Sequence, residues 1–277
     1  MEKEHFGEQG LVKLCEIKSA LFLVDTVFLV EYPPHMLVRE NTPKCNICGS
    51  SNWTNQGKRK GVRCAECGSY ERTRAMKLVL DQLKLPRANQ RVLHFAPEKG
   101  LAQYLQKTVG NGYTAADFDP ERYPYVDTQK IDLVTEAELL PSNHYDLILH
   151  SHVLEHVPCG LAPVLFHFHR ALKPTGRHIF CIPFSSGNYE ECFDKMTDKE
   201  AIRRFGQFDH VRKFGLKDVD QNLGKILHLD TAYSLYDYHS REELDAVNIP
   251  ERDRAGLHGS TIFVVSKNDY KLSFDRT

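Results

Sequence analysis

Apolar positions along this chain recur with two periods. At residues 75–85 (AMKLVL up to Leu85) and at Leu101, Leu105 and Val109 they return every three or four residues, predicting helices, the second stopped by Gly110-Asn111-Gly112. Residues 91–95 (RVLHF), 113–118, 145–150 (YDLILH), 178–184 (HIFCIPF) and 261–265 (TIFVV) are short apolar runs bounded by turn residues, predicting buried strands. Between the third and fourth of these lies another helical stripe, Leu161, Val164, Leu165, Phe168 and Leu172, closed by Lys173-Pro174-Thr175-Gly176. Strands alternating with helices predict an α/β domain with a mostly parallel sheet and helices on both faces.

Two segments depart from this alternation. Residues 44–74 are poor in aliphatic side chains and rich in Cys, Gly, Ser, Asn, Lys and Arg, so apolar burial alone would hardly fold them. They carry Cys45-Asn46-Ile47-Cys48-Gly49-Ser50 and Cys64-Ala65-Glu66-Cys67-Gly68-Ser69, a C-x2-C-x15-C-x2-C pattern within the spacing of a four-cysteine zinc ribbon. Gly49 and Gly68 suit the tight turn of each knuckle, and Cys45, Cys48, Cys64 and Cys67 are the expected ligands of a closed, structural Zn2+. Residues 1–40 carry no motif, and Pro33-Pro34 with the polar run 39–43 reads as a junction. The apolar run 21–30 (LFLVDTVFLV), interrupted by Asp25, is about half the length a bilayer requires, so no membrane span is expected.

Composition narrows the function. With 36 basic and 37 acidic residues among 277, the net charge of −1 provides no global field for a polyanion. Lys58, Arg59, Lys60, Arg63, Arg72 and Arg74 make the cysteine segment locally basic; they can neutralise thiolates or touch phosphate. Trp53, the only Trp, is expected to pack on the small core of the ribbon. Paired rather than dispersed cysteines, and an opening Met1-Glu2-Lys3-Glu4 unlike a secretory signal, lead to a cytoplasmic expectation.

The order helix, RVLHF strand, APEKG loop, helix and strand ending in Asp117, followed by YDLILHSHVLEHVP and ALKPTGRHIFCIPF, resembles the class I S-adenosylmethionine-dependent methyltransferases over roughly residues 75–267. That resemblance implies a doubly wound Rossmann-like methyltransferase sheet, mostly parallel with its last strand antiparallel, preceded by a small N-terminal zinc ribbon. Residues 1–40 are then an extension, 41–74 the ribbon and 75–277 the methyltransferase domain, with a substrate-side insertion at about 185–227. The cofactor implied is S-adenosylmethionine.

In such a sheet the ligand lies beyond the carboxyl ends of the strands, at the switch point in strand order. The loop there is His94-Phe95-Ala96-Pro97-Glu98-Lys99-Gly100. The family's acidic residue and G-x-G-x-G turn align with His94, Ala96, Glu98 and Gly100, of which only Gly100 keeps the glycine. Ala96 is small enough for close approach of the methionine portion, and Glu98 can accept from its amino group. The resemblance places Asp117 on the ribose hydroxyls, with Asp119 its near competitor, and Asp132 and Leu133 at the adenine. His150, at the end of the run 145–150, which resembles the family's fourth strand region, is expected beside the donor methyl. With His152 and His156 it forms the set of candidate bases and positioning groups, the alternative being strand-end packing and helix capping. Within the insertion, Gln207, His210 and Arg212 are the expected grip on a polar or anionic acceptor, or else an internal hydrogen-bond network.

The function implied is methyl transfer to an O, N or S nucleophile of a small-molecule or sugar-linked acceptor. An RNA methyltransferase docking RNA through its ribbon, and an inactive scaffold of the same fold, are the competing readings. A nicotinamide dehydrogenase is disfavoured by the absent G-x-G-x-x-G.

Overall fold

The computed structural model describes residues 42–271. The extension, the apolar run at 21–30 and the junction at Pro33-Pro34 lie outside the described residues. A two-stranded antiparallel hairpin, β1 (Trp53–Gln56) and β2 (Arg59–Cys64), comes first, followed by α1 (Glu71–Leu83). Then β3 (Val92–Phe95), α2 (Lys99–Val109), β4 (Tyr113–Asp117), β5 (Thr128–Lys130), β6 (Tyr145–Ser151), α3 (Leu161–Ala171) and β7 (Leu172–Cys181) build most of the main sheet. The chain continues through β8 (Phe184–Ser185), β9 (Glu190–Glu191), α4 (Asp198–Phe205), β10 (Arg212–Gly215) and α5 (Arg241–Ala246), and returns to the sheet as β11 (Phe263–Ser266).

The six-stranded sheet has the order β11-β7-β6-β3-β4-β5. All neighbours are parallel except β11, which runs antiparallel to β7. The fold is thus Rossmann-like and mostly parallel, with one antiparallel edge strand, as the alternation and the resemblance led us to expect. The short edge strand β5 has no apolar run of its own and was not legible. The expected turn at 173–176 sits within β7, which pairs with β6 at Leu172, skips four residues and resumes pairing at Arg177.

Each face of the sheet buries one core. Ala75, Met76, Leu80, Leu101, Leu105 and Val109 of α1 and α2 cover Val92, Leu147, Leu149 and Ile179 on one face. On the other, Val164, Leu165 and Phe168 of α3 cover Leu93, Phe95, Ile148 and Phe180. Each leucine so buried contributes about 1.5–3 kcal/mol. The core also contains imidazoles. His178 Nδ1 lies 2.8 Å from the Tyr270 hydroxyl and its Nε2 lies 2.9 Å from His150 Nε2, while His94 Nδ1 lies 2.9 Å from the Tyr113 hydroxyl. Burial pushes His94 and His178 down to about 3 and His150 well below the usual imidazole range, so all three are neutral at pH 7.

No helix among the described residues is long and apolar enough to cross a membrane.

Candidate functional site

Strand order reverses between β3 and β6, so their carboxyl ends diverge and leave a crevice. A cleft of about 380 Å³ occupies this crevice. From the main domain it is lined by Ala96 and Glu98 after β3, Arg122, Tyr123 and Tyr125 after β4, and Ser151, His152, Glu155 and His156 at and after β6. Gln207 and His210 close it from the insertion, while Gln56, Arg59, Tyr70 and Arg72 reach it from the cysteine segment and the start of α1.

The loop after β3 is built for close approach. Ala96 has φ +48°, the left-handed conformation that glycine adopts without cost and other L-residues avoid by about 1–2 kcal/mol. Its N–H donates to Ala116 O at 3.0 Å, tying the turn to β4. Glu98 precedes the first turn of α2. Its Oε1 accepts from Thr73 Oγ1 at 2.9 Å and pairs with Arg72 at 3.2 Å, whereas its Oε2 is buried without a partner. Glu98, at the cleft, therefore keeps one buried carboxylate oxygen without a partner.

Gly100 has a different role from the one its alignment implies. A Cβ there would lie 2.9 Å from both Cβ and Sγ of Cys67, so the glycine lets the cysteine cluster seat on α2. It does not line the cleft. Nor does His94, which is buried in β3 against Tyr113. Asp117, at the end of β4, accepts from Asp119 N and from the Tyr123 hydroxyl, both at 2.9 Å, and so sits behind Tyr123. Asp132 Oδ1 caps Val134 N at 2.8 Å, and Leu133 is buried in the core under α3. Neither borders the cleft.

The three candidate histidines separate by environment. His150 is consumed by the core chain with His178 and Tyr270 and cannot reach the cleft; in a fully buried strand position its packing outcompetes any surface role. His152 lines the cleft, but both ring nitrogens are engaged, Nε2 with Gly259 O at 2.8 Å and Nδ1 with Glu155 Oε1 at 3.3 Å. Although burial opposes the charge, hydrogen bonds to Cys181 and Glu155 raise His152 to about 10. An imidazolium held at both nitrogens positions its neighbours and is a poor base. His156 donates from Nδ1 to Asp209 O at 3.1 Å, leaving Nε2 uncommitted in the cleft.

Of the expected acceptor grip, Gln207 and His210 line the cleft and Arg212 does not. The Arg212 side chain is fully buried and donates to the backbone oxygens of Leu154 and Cys159. It clamps the insertion onto the segment after β6. Of the arginines lining the cleft, Arg59 is committed to Glu71 and Arg72 to Glu98. Sequence reasoning missed Tyr123, Tyr125 and Arg122. The aromatic spacing of Tyr123 and Tyr125 directly after the second βαβ strand was the available signal.

The cysteine segment forms two near-identical knuckles. Gly49 N donates to Cys45 O at 2.8 Å and Gly68 N to Cys64 O at 3.0 Å, and both glycines have φ near +75°, at +78° and +75°. Cys45 Sγ lies 3.6 Å from Cys67 Sγ and Cys48 Sγ 3.5 Å from Cys64 Sγ, and all four sulfurs lie within 4.8 Å of one another. Four thiolates bound at Zn–S distances of about 2.3 Å in a tetrahedron stand about 3.8 Å apart, so the donor set fits that ion. Arg74 locks the knuckles to the main domain. Its guanidinium donates to the carbonyls of Val62, Ser69, Val247 and Asn248 and lies 4.6 Å from the Trp53 ring centroid.

Among solved structures, the chain is similar to an S-adenosylmethionine-dependent methyltransferase from Mesorhizobium loti, with 14% identity over 72% of this chain and 97% of that one at TM-score 0.47. It is also similar to the Burkholderia thailandensis 1,6-didemethyltoxoflavin-N1-methyltransferase, solved with 1,6-didemethyltoxoflavin and S-adenosylhomocysteine, at 18% identity, 70% and 76% coverage and TM-score 0.43. A third likeness is a SAM-dependent methyltransferase from Archaeoglobus fulgidus, at 15% identity, 69% and 91% coverage and TM-score 0.41. No curated protein matches the chain. The family model described as a methyltransferase domain matches residues 68–246, which span all of the cleft-lining elements of the main sheet, and the chain belongs to that family.

Proposed function

We propose that this protein transfers a methyl group from S-adenosylmethionine to an O, N or S nucleophile of a small-molecule or sugar-linked acceptor, with a structural Zn2+ held by Cys45, Cys48, Cys64 and Cys67. The observation that carries the reading is the pairing of Ala96 in the left-handed conformation with the unpartnered buried oxygen of Glu98, at the switch point of a methyltransferase-family sheet. A backbone turned away from the cleft admits the methionine portion, and Glu98 accepts from its ammonium group. Tyr123 and Tyr125 supply an aromatic wall for the nucleoside, and Asp117 behind Tyr123 remains the acceptor for the ribose hydroxyls.

Methyl transfer is an in-line displacement, so alignment supplies most of the rate. The acceptor then occupies the end of the cleft bordered by His156, Gln207 and His210. A cleft of this volume suits a small ligand. Of the three arginines that reach it, Arg59 and Arg72 are neutralised by Glu71 and Glu98, leaving Arg122, and so small a cationic surface favours a small acceptor over RNA. Gln56 and Arg59 at the cleft rim give the cysteine segment a part in acceptor recognition.

Equilibrium dialysis with radiolabelled S-adenosylmethionine tests the assignment. Glu98→Gln and Asp117→Ala should each weaken binding by about tenfold or more, since each removes a charged hydrogen-bond acceptor. Unchanged affinity in both variants would remove the cofactor from this crevice.

A further inference from the structure

Beside the cofactor end, the cleft gathers Glu155, His156 and His210, and their ligating atoms lie within 4.8 Å of one another. Glu155 is fully buried; its Oε1 faces His152 Nδ1 at 3.3 Å, and its Oε2 has no partner. A buried carboxylate oxygen left without a partner is costly, and a bound cation would satisfy it. The imidazoles are prepared in a matching way. His156 Nδ1 lies 3.1 Å from Asp209 O and His210 Nδ1 lies 3.1 Å from Phe205 O. A carbonyl only accepts, so each ring carries its proton on Nδ1 and presents the Nε2 lone pair. Backbone carbonyls that orient histidine ligands in this way are the usual support of a metal centre.

The arrangement is built by tertiary contacts. Val211 N donates to Glu155 O at 2.9 Å, and Arg212 clamps the same loop to Leu154 and Cys159, so the backbone sets His210 beside Glu155. The two imidazole rings stand perpendicular, with centroids 4.7 Å apart. His152, anchored on Gly259 O, steadies the carboxylate from behind.

We propose that Glu155, His156 and His210 bind one divalent transition-metal ion. Two imidazoles and one carboxylate suit Mn(II), Fe(II) or Zn(II), whereas Mg(II) prefers oxygen ligands alone. Three protein ligands leave coordination positions facing the cleft, so this is an open site, and an acceptor bearing an oxygen or nitrogen lone pair can occupy it. The metal site stands on its own geometry and does not require the methyl-transfer reading.

Mn(II) is the probe, because four thiolates select softer ions and zinc there does not exchange for it. Zinc-loaded protein is titrated with Mn(II) while electron paramagnetic resonance follows the free ion. The wild type should take up one equivalent with a dissociation constant of about 10 µM. His210→Ala and Glu155→Gln should each weaken uptake by at least about tenfold. His210 is only half-buried, so His210→Ala keeps the test valid if the fully buried Glu155 variant fails to fold. No uptake by the wild type at about 1 mM, or unchanged uptake in a folded His210→Ala variant, overturns the site. S-adenosylhomocysteine binding measured on the same samples separates this outcome from loss of the cofactor reading.

Discussion

The cysteine cluster and the cleft solve opposite problems with similar donor atoms. Four sulfurs from one short segment close on one another, backed by two repeated knuckles and sealed by Gly100 and Arg74. The cleft draws its side chains from loops after β3, β4 and β6, from the insertion and from the rim of the cysteine segment, and it leaves Glu98, Glu155 and His156 with unused acceptor capacity. A closed donor set stabilises, whereas an open one can act on a bound molecule. Changes to the first should therefore appear as stability, and changes to the second as binding.

The strongest way to break that division is to open the closed set. Cys64→Ser, at a fully buried ligand, should release the metal and cost about 5 kcal/mol or more, read by a chromophoric chelator and guanidinium unfolding. A cleft variant with an equal stability loss and an intact metal would erase the contrast.

Acid should weaken the sheet beneath the cleft. His94 and His178, near 3 in the folded state, and His150, also lowered, are each free to protonate near 6.5 when unfolded. The unfolded chain binds more protons below about pH 6.5, so stability falls as pH falls through that window, by about 1.4 kcal/mol per unit for each histidine. Urea midpoints at pH 7, 6 and 5 check this; a flat series contradicts it. His152 has the opposite sign. Raised to about 10, it contributes stability that is complete below about 6.5 and lost as pH climbs towards 10, and His152→Gln should remove that alkaline loss.

Two smaller changes sharpen the boundary between the regions. Gly100→Ala drives a methyl group into Cys67 and should cost about 1–3 kcal/mol while hastening metal release. Ala96→Gly relieves a left-handed alanine, and its effect should lie within about 1 kcal/mol of neutral or be stabilising, with cofactor affinity retained. A marked loss of stability in thermal unfolding would show that the turn is not strained.

The same contrast explains what was legible in the sequence. The four clustered cysteines announce themselves because their spacing is local, two short loops 15 residues apart. The main strands were readable because buried parallel strands are rich in apolar residues, as in Leu147-Ile148-Leu149 of β6 and Ile179-Phe180-Cys181 of β7. The edge strand β5, Thr-Gln-Lys, has none. Within the cleft, Ala96, Glu98 and His156 followed from the resemblance, but Glu155 joined to His210 did not, because that pairing spans 55 positions and depends on the buried Arg212 clamp. His150 and Gly100 stood in the right motif and face elsewhere. Strand alternation turns the first into the core, and the docking of Cys67 claims the second.

The most direct test of the account is calorimetric titration of the zinc-loaded protein with S-adenosylhomocysteine. We expect one site with micromolar affinity, about 8 kcal/mol of binding free energy, lost together with the acceptor oxygen in Glu98→Gln. No heat of binding from a folded, metal-replete protein would contradict a cofactor site at the β3 turn.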